Sequence, residues 1–108
     1  KCGRAADILK SLPADIEPFD FIFIDADKQS YPEYLELSLN LSHSGTLIFL
    51  DNVIRAGDII NPENHKPSIE GIRDMFKAMQ NHPKILSCTA LQTVGSKGHD
   101  GFALAIVK

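Results

Sequence analysis

Four oxygen-bearing side chains, Asp25, Asp27, Asp51 and Asn52, stand just after two hydrophobic runs, in FDFIFIDADK (Phe19 to Lys28) and GTLIFLDNV (Gly45 to Val53). If those runs are neighbouring strands, the four side chains converge beyond the carboxyl ends of a sheet, where open α/β sheets bind ligands. Two carboxylates and an amide oxygen make a hard, all-oxygen ligand set. It suits Mg²⁺, Mn²⁺ or Ca²⁺ rather than ions that prefer thiolate or imidazole. Two negative charges neutralise a dication and leave positions for water or substrate oxygens, an open site of the catalytic kind. The local alternative is that Asp25 and Asp51 only cap the turns or helices that follow, where Asp and Asn are favoured anyway. One acidic strand end means little; two in succession shift the balance toward a site.

Strands must carry these groups, and helices must return the chain between them. Phe19 to Ile24 is a continuous apolar, aromatic and β-branched run, the pattern of a strand buried on both faces of a parallel sheet, and Thr46 to Leu50 reads as a second buried strand. Between them, Ser30-Tyr31-Pro32-Glu33 has the S-x-x-E form of a capping box with proline in the first turn, which predicts a helix to about Leu41, punctuated by Gly45. Upstream, Arg4 to Leu12 reads as a short helix ended by Pro13. Downstream, Arg55 to Pro67 has loop chemistry and is long enough to be a lid or binding loop.

Ser68 is placed to cap a third helix, whose Ile69, Ile72, Met75, Phe76 and Met79 recur at helical spacing as a core face, ending near His82-Pro83. Ile85 to Leu91 and Phe102 to Val107 then read as strands joined by Val94 to Gly101. The alternation predicts an α/β fold, a parallel sheet with helices on its faces. Two successive strands at the end predict an antiparallel hairpin finish.

Composition narrows the function classes. With 108 residues and 44% hydrophobic content, one domain with one core is expected. The net charge of −3, with both signs interspersed, provides no basic stripe, so no nucleic-acid partner is expected. Runs such as FIFI and TLIFL are too short to span a bilayer and no signal segment opens the chain; a cytoplasmic protein with no membrane partner is the expectation. Cys2 and Cys88 have neither a C-x-x-C nor a metal-like His spacing and read as ordinary thiols of a reducing compartment. His43, His65, His82 and His99 read as surface residues, with His65, on the long loop, the one worth testing. The opening stretch KCGRAADILKSLP is helix-like with no strand before it, which suggests a preceding portion.

The pair F-D-F-I-F-I-D-A-D-K-x-x-Y and G-T-L-I-F-L-D-N-V resembles the second half of the cation-dependent class I O-methyltransferases, the caffeoyl-CoA and catechol O-methyltransferase group. The closing G-x-D-G-F-A-L-A is similar to that family's last hairpin. The resemblance covers essentially the whole chain and implies residues 1–108 as the C-terminal portion of a single O-methyltransferase domain with a Rossmann-like methyltransferase fold, a partial sheet ending in the hairpin. It also implies Asp25, Asp51 and Asn52 as metal ligands, with Lys28, three residues after the first of them, as the general base. Asp27 falls where the family contacts S-adenosylmethionine, and Ala5, in G-R-A-A-D-I-L, where a small residue lies near the adenine. Taken outside the motif, Lys28 would be a solvated lysine at a helix start.

The chemistry implied is methyl transfer to a catechol-like or caffeoyl-type hydroxyl, with S-adenosylmethionine and Mg²⁺ (or Mn²⁺ or Ca²⁺) as cofactors, a small aromatic diol as substrate and a homodimer as the expected assembly. The family's glycine-rich cofactor loop and its acidic ribose contact have no counterpart in these residues, so this chain alone should bind S-adenosylmethionine poorly or not at all. Ala56 stands where plant members carry a polar substrate contact and is assigned no role. Two rivals follow from the same features. D-x-D after a buried strand is also the nucleophile motif of haloacid dehalogenase-type phosphohydrolases, but Lys28 replaces the usual Thr or Val and the second strand ends in Asp-Asn, not Ser or Thr. An inert half domain that self-associates through the open edge of its first strand is the non-enzymatic alternative.

Overall fold

The computed structural model describes residues 2–96 and 98–108. Along the chain run α1 (Ala5–Lys10), β1 (Phe19–Ile24), α2 (Tyr31–Asn40), β2 (Ser42–Asp51), α3 (Pro67–Met79), β3 (Ile85–Gly95) and β4 (Gly98–Val107), with short 3₁₀ turns at Lys28–Ser30 and Arg55–Ile60. The four strands form one sheet in the order β1-β2-β4-β3. β1 and β2 are parallel, whereas β4 runs antiparallel to both its neighbours, so the expected hairpin finish closes the sheet.

One face of the sheet carries the core. Ile24 from β1, Ile48 and Leu50 from β2, and Ala103 and Ala105 from β4 alternate inward, where they meet Ala6 of α1, Leu35 and Leu39 of α2, and Ile72, Met75 and Met79 of α3. The Met75 and Met79 stripe is therefore core, as its helical spacing requires. The opposite face departs from the expectation of a strand buried on both sides: Phe21 and Phe23 each leave 54% of their surface exposed. All three helices contribute to the single inward cluster. The outward face instead carries an aromatic row, with Phe23 and Phe49 rings 5.3 Å apart and Phe49 stacked on Phe102 at 4.7 Å.

Several local expectations give way to competing interactions. Ser30 does not close a capping box: its hydroxyl donates to Asp27 and accepts no helix N–H, while Glu33 takes Lys10 as its partner at 2.7 Å. Ser68 lies inside α3, whose N-cap position is Lys66. Gly45 does not terminate α2 but sits within β2 at φ 93°, where the register slips between Phe19↔Ser42 and Phe21↔Leu47. The segment Val94 to Gly101 is mostly strand, with Val94↔His99 and Gly95↔Gly98 paired; Lys97 lies outside the described residues. His82 is not a surface residue: its side chain is 12% exposed and its Nε2 lies 2.9 Å from Glu36, pinning the end of α3 to α2. His43, His65 and His99 are exposed, as are the free thiols of Cys2 and Cys88. No helix among the described residues is long and apolar enough to cross a membrane.

Gly71 decides how closely α3 approaches the turn that carries Lys28. A Cβ there would stand 2.5 Å from the Lys28 carbonyl oxygen and 2.6 Å from Gln29 Cα, both backbone atoms that cannot swing aside. We predict that Gly71→Ala costs about 1–3 kcal/mol through overpacking, although alanine is intrinsically the better helix former by about 1 kcal/mol. Urea unfolding measures it, and a variant as stable as the parent would show that α3 is free to shift.

Candidate functional site

The strand register builds the site. Ile24 pairs with Leu50 in parallel β1 and β2, so Asp25 and Asp51 leave adjacent strands in the same direction, with strand axes about 4.8 Å apart. Tyr31, the first residue of α2, is fully buried and its hydroxyl sits between the two strand ends. It lies 2.8 Å from the Asp51 carbonyl oxygen, 3.3 Å from that of Ile24 and 2.6 Å from Lys28 Nζ. An ammonium can only donate, so the hydroxyl accepts from Lys28 and gives its own proton to the nearer carbonyl. Burial pushes the Tyr31 hydroxyl well above its usual range, and the charges of Asp25 and Asp51 push it further in the same direction, so it remains a donor.

Lys28 is not a solvated lysine. It is 8% exposed, with its stem folded so that Nζ lies 4.7 Å from the centre of the Tyr31 ring, and Nζ also donates to Asp25 Oδ1 at 3.1 Å. Aromatic face, hydroxyl and carboxylate together compensate the burial of its charged end.

The other oxygens divide by what already engages them. Asp51 Oδ1 accepts the Asn52 backbone N–H at 2.8 Å. Asn52 has φ 59° and donates its Nδ2 to Asp100 Oδ2 at 2.8 Å. Arg55 and Ala56 follow at φ 57° and 56°, so three non-glycine residues just past β2 occupy the left-handed region, at a cost of about 1–2 kcal/mol each. Asp100 ties this segment down, its Oδ1 accepting the N–H groups of Arg55 and Gly101. Burial opposes ionisation of Asp100, but the donors of Asn52, Arg55, Gly101 and Ile54 outweigh it and hold the carboxyl below its usual range.

Asp27 accepts hydroxyl bonds from Ser30 and Tyr34, which hold its carboxyl below its usual range. Ala5 stands apart from these groups. It lines, with Asp25, Ala26, Tyr34 and Phe23, a largely apolar cavity of about 230 Å³ beside β1.

The structure thus brings Asp25, Lys28 and Asp51 together through Tyr31, sets Asn52 beside Asp51, and puts Ala5 on a cavity that Asp25 also lines. Asp25 Oδ2, Asp51 Oδ2 and Asn52 Oδ1 receive no hydrogen bond among the described residues. Three hard oxygen donors left free at one sheet edge fit a divalent cation of the oxygen-seeking kind. Among the described residues no group of three or more His, Cys, Asp or Glu could hold a metal, so such an ion would depend on the amide of Asn52 as the third donor.

Sequence reasoning passed over Tyr31, Asp100 and Arg73. The first two lie within the quoted D-A-D-K-x-x-Y and G-x-D-G-F patterns, where the spacing of Tyr31 three residues after Lys28 was the available signal. Arg73 uses all five of its guanidinium protons, on Glu70 and on the carbonyls of Asp58, Ile59, Asn61 and Asn64, and so folds the long loop against α3. Nothing in the loop's own residues announces that clamp.

A parallel pair with acidic residues at its strand ends makes this an α/β protein, and solved structures put its fold in the Rossmann-like methyltransferase class. The O-methyltransferase from Bacillus cereus, in complex with SAH, superposes with a TM-score of 0.92 at 50% identity, covering 98% of this chain and 48% of that one. The O-methyltransferase TomG from Streptomyces achromogenes, in complex with SAM, gives 0.91 at 38% identity, covering 98% and 48%. The family model described as O-methyltransferase matches residues 1–105, and the chain belongs to that family. A catechol O-methyltransferase from Niastella koreensis is 48% identical over 109 residues, covering 100% of this chain and 49% of the relative, and one from Mycobacterium tuberculosis is 42% identical over 106 residues, covering 98% and 46%. The chain therefore spans about half the length of the curated relatives it matches. Membership gives the haloacid dehalogenase-type reading no support.

Removing the Tyr31 hydroxyl isolates its role. We predict that Tyr31→Phe lowers stability by about 1–3 kcal/mol, the cost of leaving buried polar partners unsatisfied. The check is the urea midpoint at unchanged slope; a loss below about 0.5 kcal/mol, the low end for one net hydrogen bond, would mean that the strand ends do not depend on it.

Proposed function

We propose that the protein is an S-adenosylmethionine-dependent and divalent-cation-dependent O-methyltransferase acting on a catechol-like or caffeoyl-type aromatic diol, with residues 1–108 forming the C-terminal, acceptor-side portion of its domain. The observation that carries this is the Ile24↔Leu50 register, which sets Asp25 and Asp51 side by side with Lys28 between sheet and helix. Family membership and the SAM- and SAH-bound neighbours support the donor, and the names of the catechol O-methyltransferase relatives support the acceptor class.

Asp25, Asp51 and Asn52 would hold the cation. When bound, it would supply Lewis-acid chemistry, lowering the pKa of an acceptor hydroxyl. Lys28 Nζ, held beside Asp25 and the Tyr31 hydroxyl, would take the hydroxyl proton as the neutral amine, having first given up the proton it carries as the ammonium. The new O–C bond forms in line as the C–S bond of the sulfonium breaks, which discharges the sulfonium and requires no further acid. Asp27 and Ala5 are the donor contacts this portion contributes; the glycine-rich half of the donor site has no counterpart in these residues.

Two outcomes are expected. Mg²⁺ raises the melting temperature, by the equivalent of about 2.7 kcal/mol at a hundred times Kd, and Asp51→Ala abolishes the rise; an unshifted parent counts against a metal site. In the full-length protein, Lys28→Ala lowers methyl transfer to a catechol by about 10²- to 10⁴-fold. Undiminished transfer would remove Lys28 as the base, and phosphatase activity in its place would sink the methyltransferase reading.

A further inference from the structure

Asn52 and Asp100 are 48 residues apart in the chain, yet they share the most constrained corner of the site. An asparagine amide has two chemically different ends of nearly equal shape, and either can face a neighbour. Only one end can face a carboxylate. An ionised carboxylate accepts and never donates, so Asp100 selects the NH₂ end of Asn52 and turns the amide oxygen away from itself. The same carboxylate holds the N–H of Arg55 and so fixes the left-handed segment from which Asn52 projects. Strained backbone of this kind persists where its surroundings over-determine it, and it concentrates at functional sites.

We propose that Asp100 is a positioning residue for the cation site, fixing the Asn52 amide so that Oδ1 remains available as the third oxygen beside Asp25 and Asp51. This rests on the metal-dependent reading above. Asp100 touches no reacting atom and acts only through Asn52. Partners that orient a metal ligand typically change metal affinity by roughly 10- to 100-fold.

The full-length protein is titrated with Mn²⁺, followed by its electron paramagnetic resonance signal, and the Asn52 side-chain NH₂ resonances are followed in the metal-free protein by ¹⁵N NMR. In Asp100→Asn the introduced amide oxygen stays with the N–H groups of Arg55 and Gly101, so its NH₂ end faces Asn52. The Asn52 amide then turns over to accept. Mn²⁺ affinity is expected to fall roughly 10- to 100-fold, with the Asn52 NH₂ resonances displaced before any metal is added. Asn52→Asp alone sets two carboxylates against each other, whereas Asn52→Asp combined with Asp100→Asn restores the match with its sense reversed and offers a carboxylate oxygen to the cation. That pair is expected to recover Mn²⁺ binding to within a few-fold of the parent.

Unchanged Mn²⁺ affinity in Asp100→Asn, or a folded double variant that binds no better than the single one, overturns the proposal while leaving the metal reading intact. A parent that binds no Mn²⁺ overturns the metal reading and the proposal with it. Where Asp100→Asn does not fold, the double variant decides: a folded form that binds Mn²⁺ supports the proposal and one that does not overturns it.

Discussion

A single buried hydroxyl joins the parts of this molecule that must stay in register. Tyr31 begins α2, and its oxygen sits among the Lys28 ammonium and the carbonyls that end β1 and β2. Those carbonyls lie where the parallel ladder stops, and a buried carbonyl without a partner is costly. Filling that gap from the helix start makes the sheet edge and the helix one unit. Lys28 follows from it: a lysine can be buried here because the hydroxyl, the ring beneath it and Asp25 together replace water. The aspartate pair then projects from a rigid edge instead of from a loose turn.

α3 extends this rigidity to the loop past the second strand. Gly71 allows the helix backbone to lie directly against the Lys28–Gln29 backbone, and from the same helix Arg73 reaches four carbonyls of the loop from Asp58 to Asn64. A guanidinium suits that task because its planar fork donates in several fixed directions at once, which an ammonium cannot do. The helix whose methionines fill the core is thus also the one that sets the turn carrying Lys28 and the course of the loop over the strand ends.

Much of this was legible in the sequence because its signals are local. The apolar run from Phe19 to Ile24 matched β1 at both ends, and the Met75 and Met79 spacing marked the core face of α3. The failures share a cause, which is competition that spacing does not display. Ser30 looked like a cap, but Asp27 captures its hydroxyl. Gly45 looked like a helix stop, but a register slip in the parallel pair absorbs it. β3 continues past Leu91 through Gln92, Thr93 and Val94, exposed residues whose pairing comes entirely from β4. In the site the aspartates were readable from their position after apolar strands, whereas Asp100 meets Asn52 only because the antiparallel register brings the hairpin back beside β2.

The carboxylates at this edge differ in how fully hydrogen bonds engage them. Asp25 and Asp27 follow β1, Asp51 ends β2 and Asp100 stands near the start of antiparallel β4, so all four belong to one edge of the sheet. Each oxygen of Asp27 accepts from a hydroxyl and each of Asp100 from N–H donors, bonds that hold the turn at Lys28 and the segment after Asn52. Asp25 and Asp51 each have one oxygen engaged, by Lys28 and by the Asn52 backbone, and one left over. Lys28 offsets part of their charge at a distance of 3.1 Å from Asp25 and does not reach Asp51 in any hydrogen bond among the described residues. The oxygens left without a hydrogen bond among the described residues are therefore one on each of two aspartates that leave adjacent parallel strands, next to an amide whose NH₂ end faces Asp100. Under the metal-dependent reading, this edge would take a small, hard dication, whose charge would offset that of the two aspartates.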